Sequence, residues 1–127
     1  MNSKQILIVD REIHMLNLLQ ALLKDKYQLR LESGSLEALQ WIQHGNLPDL
    51  IIAEYDMPYM NGLELVNNLK ISGLYNKVPV IILSGTQGLE SNMSASNQSI
   101  VAYVAKPFNP EELNLAISGA FNKYELN

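Results

Sequence analysis

Four short apolar runs, each stopping at a polar or charged residue, constrain this chain more than any other feature. They cover residues 5–9 before Asp10, 50–53 before Glu54, 80–83 before Ser84 and 101–105 before Lys106. The second and third are apolar without alternation and rich in isoleucine, as expected of parallel strands covered on both faces. A fifth apolar stretch at residues 27–31 is closed by Ser33-Gly34-Ser35. Between the runs the period changes. Ile13, Leu16, Leu19, Leu22 and Leu23 recur on one helical face, and residues 36–42 read as a second helix ended by His44-Gly45-Asn46. Asn61 with Glu64 three residues on is a capping box, opening a helix through Lys70. Asn109 caps a last helix, with Pro110 at its first position, Glu112 at its third, and Leu113, Ile117, Ala120, Phe121 and Tyr124 as its buried stripe.

Strands alternating with helices predict an α/β fold, a doubly wound five-stranded parallel sheet flanked by helices. Residues 1–127 read as a single domain, with no linker or internal repeat. The alternation also calls for a helix between Thr86 and Ser99. That segment is rich in serine and asparagine, which compete with helical hydrogen bonding, and only Leu89 and Met93 offer an apolar stripe. A short or distorted helix is expected there.

Composition narrows the chemistry. The chain has no cysteine, which excludes thiol catalysis, cysteine-ligated metals and disulfides. Its two histidines, His14 and His44, do not suggest a catalytic zinc site. A net charge of −4 argues against a nucleic-acid-binding face. No stretch approaches the roughly 20 apolar residues of a membrane span, so no membrane association and a cytoplasmic location are expected.

In an open parallel sheet, ligands bind beyond the carboxyl ends of the strands, near the reversal of strand order. The strand exits deliver Asp10 and Arg11, Glu54 and Asp56, Ser84 and Gly85, and Lys106 to that edge. Three negative and two positive groups would meet there. No Gly-rich phosphate loop follows the first strand, where Arg-Glu-Ile-His stands instead, which argues against nucleotide binding.

The order of these pieces resembles the receiver domain of bacterial response regulators, a CheY-like, flavodoxin-like fold of two-component signalling. The resemblance runs from Ile6 to about Tyr124 and rests on four motifs. They are Ile-Leu-Ile-Val-Asp10; Asp49-Leu-Ile-Ile-Ala-Glu54 with Met57-Pro58 and Asn61-Gly62; Pro79-Val-Ile-Ile-Leu-Ser84-Gly85; and Tyr103-Val-Ala-Lys106-Pro107-Phe108. Receivers of this kind take a phosphoryl group from a histidine kinase onto an aspartate, with magnesium bound by an acidic cluster. The resemblance implies that Asp10 is the first member of the acidic pair, and the second falls on Arg11. The acceptor falls on Glu54. Ser84 matches the hydroxyl and Lys106 the lysine that contact the phosphoryl group, and Ser84 and Tyr103 match the pair that moves on activation.

Two chemical positions are therefore changed relative to the family. Arg11 removes a magnesium ligand and brings a cation that can pair with Glu54 or Asp10, because guanidinium matches carboxylates. Asp10, Glu54 and Asp56 remain as candidate metal ligands, so magnesium binding is expected to be weakened or lost. Glu54 carries its carboxylate about one carbon–carbon bond, ~1.5 Å, further out than aspartate. It can mimic phosphoaspartate weakly by approaching Lys106 and Ser84. The expected function is a phosphorylation-independent or phosphorylation-deficient receiver that signals by protein–protein interaction with a histidine kinase or a downstream protein, as a monomer or weak homodimer. Two alternatives remain. One is a purely structural ion pair replacing a lost site; the other is an active acceptor phosphorylated with magnesium on Glu54 or Asp56. If the chain is complete, its output must come from docking onto another protein.

Overall fold

The computed structural model of the chain describes residues 3–71, 77–85 and 99–125. Strands β1 (Gln5–Val9), β2 (Gln28–Glu32), β3 (Leu50–Glu54), β4 (Val80–Ser84) and β5 (Ile100–Ala105) form one sheet in the order β2-β1-β3-β4-β5. Every neighbouring pair is parallel. The helices described are α1 (Ile13–Leu23), α2 (Ser35–Gln43), α3 (Gly62–Ile71) and α4 (Pro110–Glu125). This is the doubly wound sheet that the alternation of elements predicts. The helix expected between Thr86 and Ser99 lies outside the described residues.

Strand alternation splits the core into two layers. Leu7, Val9, Ile51, Ala53, Val80 and Ile82 face Ala38 and Ile42 of α2 and Leu65, Val66 and Leu69 of α3. Ile6, Ile8, Leu50, Ile52, Ile81 and Leu83 face Leu16, Leu19 and Leu23 of α1 and Leu113 and Ile117 of α4. Residues on β3 and β4 are buried throughout, because each of these strands has a strand on both sides and a layer on both faces. The two edge strands differ. Gln28 and Arg30 of β2 are exposed, and β5 is mostly half-buried. The fully apolar reading of residues 101–105 thus overstates how far an edge strand is covered. Arg30 stacks over the Trp41 ring at 5.5 Å and pairs with Glu32 at 2.6 Å, which places Trp41 as a packing residue of α2 beside that edge.

The predicted caps are present. Asn61 Oδ1 accepts from the Glu64 amide and Glu64 Oε1 accepts from the Asn61 amide, each at 2.9 Å. Asn109 Oδ1 accepts from the Glu112 amide at 2.7 Å. His44 ends α2, its ring Nδ1 2.6 Å from the Gln40 carbonyl, and His14 is exposed on α1. Among the described residues no helix is long and apolar enough to cross a membrane.

Candidate functional site

Strand order reverses at β1, whose neighbours are β2 and β3. Val9 is opposite Ala53, so the next residues, Asp10 and Glu54, stand side by side at the carboxyl edge of the sheet. Both are buried, Asp10 at 1% exposure. On the far side, Ala105 is opposite Ser84, and the Lys106 amide donates to the Ser84 carbonyl at 2.8 Å. From there the Lys106 side chain, 13% exposed, reaches back across the edge to both carboxylates.

The resulting arrangement uses every carboxylate oxygen. Lys106 Nζ donates to Asp10 Oδ2 at 2.9 Å and to Glu54 Oε1. The Glu12 amide donates to Asp10 Oδ1 at 2.9 Å, tying Asp10 to the start of α1. The Asp56 amide donates to Glu54 Oε2 at 2.8 Å. Buried carboxylates need this kind of satisfaction, because an unpaired buried charge is strongly unfavourable. Burial alone would push the Lys106 ammonium down. The hydrogen bonds and negative charge of Glu54 and Asp10 outweigh it and hold Lys106 above its ordinary 10.5.

A folded-state value above the unfolded one means that the native state binds the proton more tightly. The stabilisation from Lys106 is therefore complete below the ordinary lysine range and is lost as pH rises through the raised value. Thermal unfolding followed from neutral pH into the strongly alkaline range should show this loss, and the slope should become shallower when Lys106 is replaced by methionine.

Arg11 departs from expectation. It pairs with neither Glu54 nor Asp10; its Nη2 lies 3.5 Å from Asp56 Oδ2, and Asp56 is 73% exposed. The cause is local. Asp10 follows the end of β1, and Arg11 lies one residue further on in a bend before α1, its side chain 51% exposed. An exposed pair at that distance contributes about 0–1 kcal/mol. The internal cation of the site is Lys106. Asp56, a candidate metal ligand by sequence, contributes its backbone amide to Glu54 while its side chain lies on Arg11.

Ser84 is buried at the end of β4 and Gly85 after it is exposed. Tyr103 is opposite Ile82, half-buried against the layer formed with α2 and α3, with its hydroxyl out of contact with solvent. Leu89 and Met93 lie outside the described residues.

Three features escape the sequence reading. Gly62 opens α3 so close to β3 that a β-carbon there would stand 2.7 Å from the Glu54 carbonyl oxygen and 3.1 Å from Tyr55 Cα. Its amide also donates to the Tyr55 carbonyl at 2.8 Å. Gly62→Ala must push apart two backbone segments beside Glu54 and is expected to destabilise by about 1–3 kcal/mol, read from a urea midpoint. Ser35 at the start of α2 donates to the Met60 carbonyl at 2.7 Å, pinning the β3–α3 loop to α2. In that loop Tyr59 has φ of 68°, a left-handed backbone. The sequence signal for both Gly62 and Tyr59 is the turn string Pro58-Tyr59-Met60-Asn61-Gly62, which contains proline, asparagine and glycine.

The chain is similar to known proteins over most of its length. The model of the response regulator receiver domain family matches residues 6–118. The probable transcriptional regulator ycf29 of Pyropia yezoensis is 31% identical over 87% of this chain and 50% of its own length. The signal receiver domain of an HD domain-containing protein from Pseudomonas fluorescens Pf-5 is 30% identical, covers 99% of this chain and 100% of its own, and superposes with a TM-score of 0.85. The chemotaxis response regulator CheY4 of Vibrio cholerae is 25% identical over 94% of this chain and 99% of its own, with a TM-score of 0.84. With its parallel sheet in the order β2-β1-β3-β4-β5 and an acidic edge spanned by Lys106, the chain belongs to the receiver domain family of two-component signalling. It spans about half the length of the first curated relatives it matches, at 50% and 49%.

Proposed function

We propose that this receiver works without aspartyl phosphorylation, as a protein-interaction domain whose site is closed by its own lysine. One observation carries the reading: Asp10 and Glu54 share the Lys106 ammonium, and their remaining oxygens are held by the Glu12 and Asp56 amides. Glu54 stands in the acceptor place that the family motif marks. Its carboxylate already engages Lys106, a contact that the phosphoryl group would otherwise make. The reach of glutamate makes this possible, since the extra carbon–carbon bond carries the charge outward toward the lysine. The same extra length misplaces it for in-line attack, where a 1 Å error costs on the order of 10²-fold in rate.

The residues do not fit a magnesium ion in this arrangement. Magnesium requires several oxygen ligands in near-octahedral geometry. Here both oxygens that face the crevice accept from an ammonium, and the second acidic position of the motif is Arg11, turned outward onto Asp56. Binding would require displacing Lys106 from two buried carboxylates. The domain is accordingly held in one electrostatic state, and it signals by docking to a histidine kinase or a downstream signalling protein, as a monomer or weak homodimer in the cytoplasm.

Magnesium titration followed by amide chemical shifts tests this reading. No saturable shift at Asp10, Arg11, Glu54 or Asp56 is expected at millimolar ion. A saturable response centred on those residues would overturn the closed-site reading.

A further inference from the structure

Two methionines stand three residues apart in the loop between β3 and α3, and the fold treats their sulfurs differently. Met57 is buried at 5% exposure, with its Sδ 3.7 Å from the Ser35 hydroxyl. Met60 is half-buried against the layer formed with α2 and α3, and its Sδ lies 3.8 Å from Asn68 Nδ2. Asn68 is exposed, one turn past Glu64 on α3, and its Nδ2 also donates to the Glu64 carbonyl at 2.9 Å. An amide nitrogen carries two hydrogens in fixed directions. One is held by that carbonyl, which aims the other at the Met60 sulfur. The Met60 backbone is pinned as well. Its amide donates to the Pro58 carbonyl at 2.8 Å, and its carbonyl accepts from the Ser35 hydroxyl at 2.7 Å.

A thioether is a weak acceptor for such a donor. A sulfoxide oxygen is a strong one, and the spacing suits it. An S–O bond of about 1.5 Å and an N–H···O bond of about 2.9 Å, meeting at about 120°, span about 3.9 Å between sulfur and nitrogen. The 3.8 Å separation therefore admits the oxygen with little movement of Met60 or Asn68. In an apolar core a sulfoxide disrupts packing. Here its oxygen meets a donor already in place.

We propose that Met60 is a reversible oxidation site, converted to the sulfoxide by peroxide and held in that form by the Asn68 side-chain amide. With hydrogen peroxide, the sulfur lone pair attacks one oxygen and the S–O bond forms as the O–O bond breaks. The transferred oxygen gives its proton to the departing hydroxide, which leaves as water. Sulfur loses two electrons and the peroxide gains them. One epimer at sulfur directs its oxygen at Asn68, and methionine sulfoxide reductases, one enzyme for each epimer, restore the thioether. The site uses neither Lys106 nor the two buried carboxylates, so it stands or falls independently of the closed-site reading.

The test treats the whole chain with hydrogen peroxide, maps each methionine by peptide mass and follows the Asn68 side-chain amide by NMR. Met60 is expected to gain one oxygen about tenfold faster than Met57, and the Asn68 amide resonances should shift in step with it. The shift should be absent in Met60→Leu, which keeps the side chain's volume, and should be reversed by one of the two epimer-specific reductases. Oxidation should lower the thermal midpoint of Asn68→Ala by a few degrees more than that of the parent chain, because the sulfoxide then lacks its donor. The proposal is overturned if Met60 stays reduced while Met57 is oxidised, or if Asn68 does not respond when Met60 is oxidised. It is also overturned if oxidation lowers both midpoints equally. Should Asn68→Ala fail to fold, the Asn68 shift in the parent chain decides alone.

Discussion

Replacing Lys106 with methionine is expected to destabilise the folded chain by about 3–5 kcal/mol at neutral pH. Methionine preserves most of the side chain's volume and its apolar stem, so packing changes little. The loss is electrostatic. Asp10 and Glu54 would be left buried a few ångströms apart with no cation between them, and like charges in a water-poor site repel strongly. The backbone amides of Glu12 and Asp56 would still hold one oxygen of each carboxylate, but they carry no net charge. Adding Glu54→Gln to Lys106→Met should restore most of the stability, because it removes one charge and keeps the shape. Urea unfolding of the two variants beside the parent chain reads the effect directly. A Lys106→Met variant within 1 kcal/mol of the parent, on the order of a surface pair, would mean that the lysine is not what balances the site.

The second large effect is a gain of function. Glu54→Asp combined with Arg11→Asp is expected to create magnesium-dependent acceptance of a phosphoryl group from a small phosphodonor. The rate should rise on the order of 10²-fold or more above the parent chain. Shortening Glu54 by about 1.5 Å withdraws its carboxylate from Lys106, and an acid after Asp10 supplies the missing oxygen ligand. Either substitution alone should recover much less. Arg11→Asp leaves Glu54 tied to Lys106, and Glu54→Asp leaves one fewer acidic ligand for the ion. Intact mass after incubation, with and without magnesium, separates the four proteins. Equal labelling of the double variant and the parent would contradict the account.

Much of this was readable from the chain because it is local or periodic. Continuous apolar runs at β3 and β4 mark strands that helices cover on both faces, and their last residues must then fall on the ligand edge. Asn61 with Glu64, and Asn109 with Glu112, declare their caps within four residues. The convergence of Asp10, Glu54, Ser84 and Lys106 on that edge follows from the parallel topology.

What the chain did not declare depends on side-chain direction and on contacts between distant segments. Arg11 is adjacent to Asp10 in sequence, yet it stands in the exposed bend past the end of β1, where Asp56 is the acid in reach. Adjacency suggested a partner that direction excludes. Lys106 could be assigned to the site, but its grip on both carboxylates depends on how far β5 stands from β1. Asn61-Gly62 was visible as a motif, but the backbone that Gly62 nearly touches belongs to the end of β3 and to Tyr55. Tyr59, with its left-handed backbone, sits in a loop held by the Ser35 hydroxyl and the Tyr55 carbonyl, contacts that no local pattern announces. In each case spacing was visible, and the third dimension decided the partner.

The most direct measurement is the intact mass of the unmodified chain after incubation with a small phosphodonor and magnesium. A closed site predicts an unchanged mass, because the Glu54 carboxylate is already held by Lys106 and the Asp56 amide. A gain of one phosphoryl group that disappears in Glu54→Gln would contradict it and make this domain an active acceptor with glutamate in the aspartate's place.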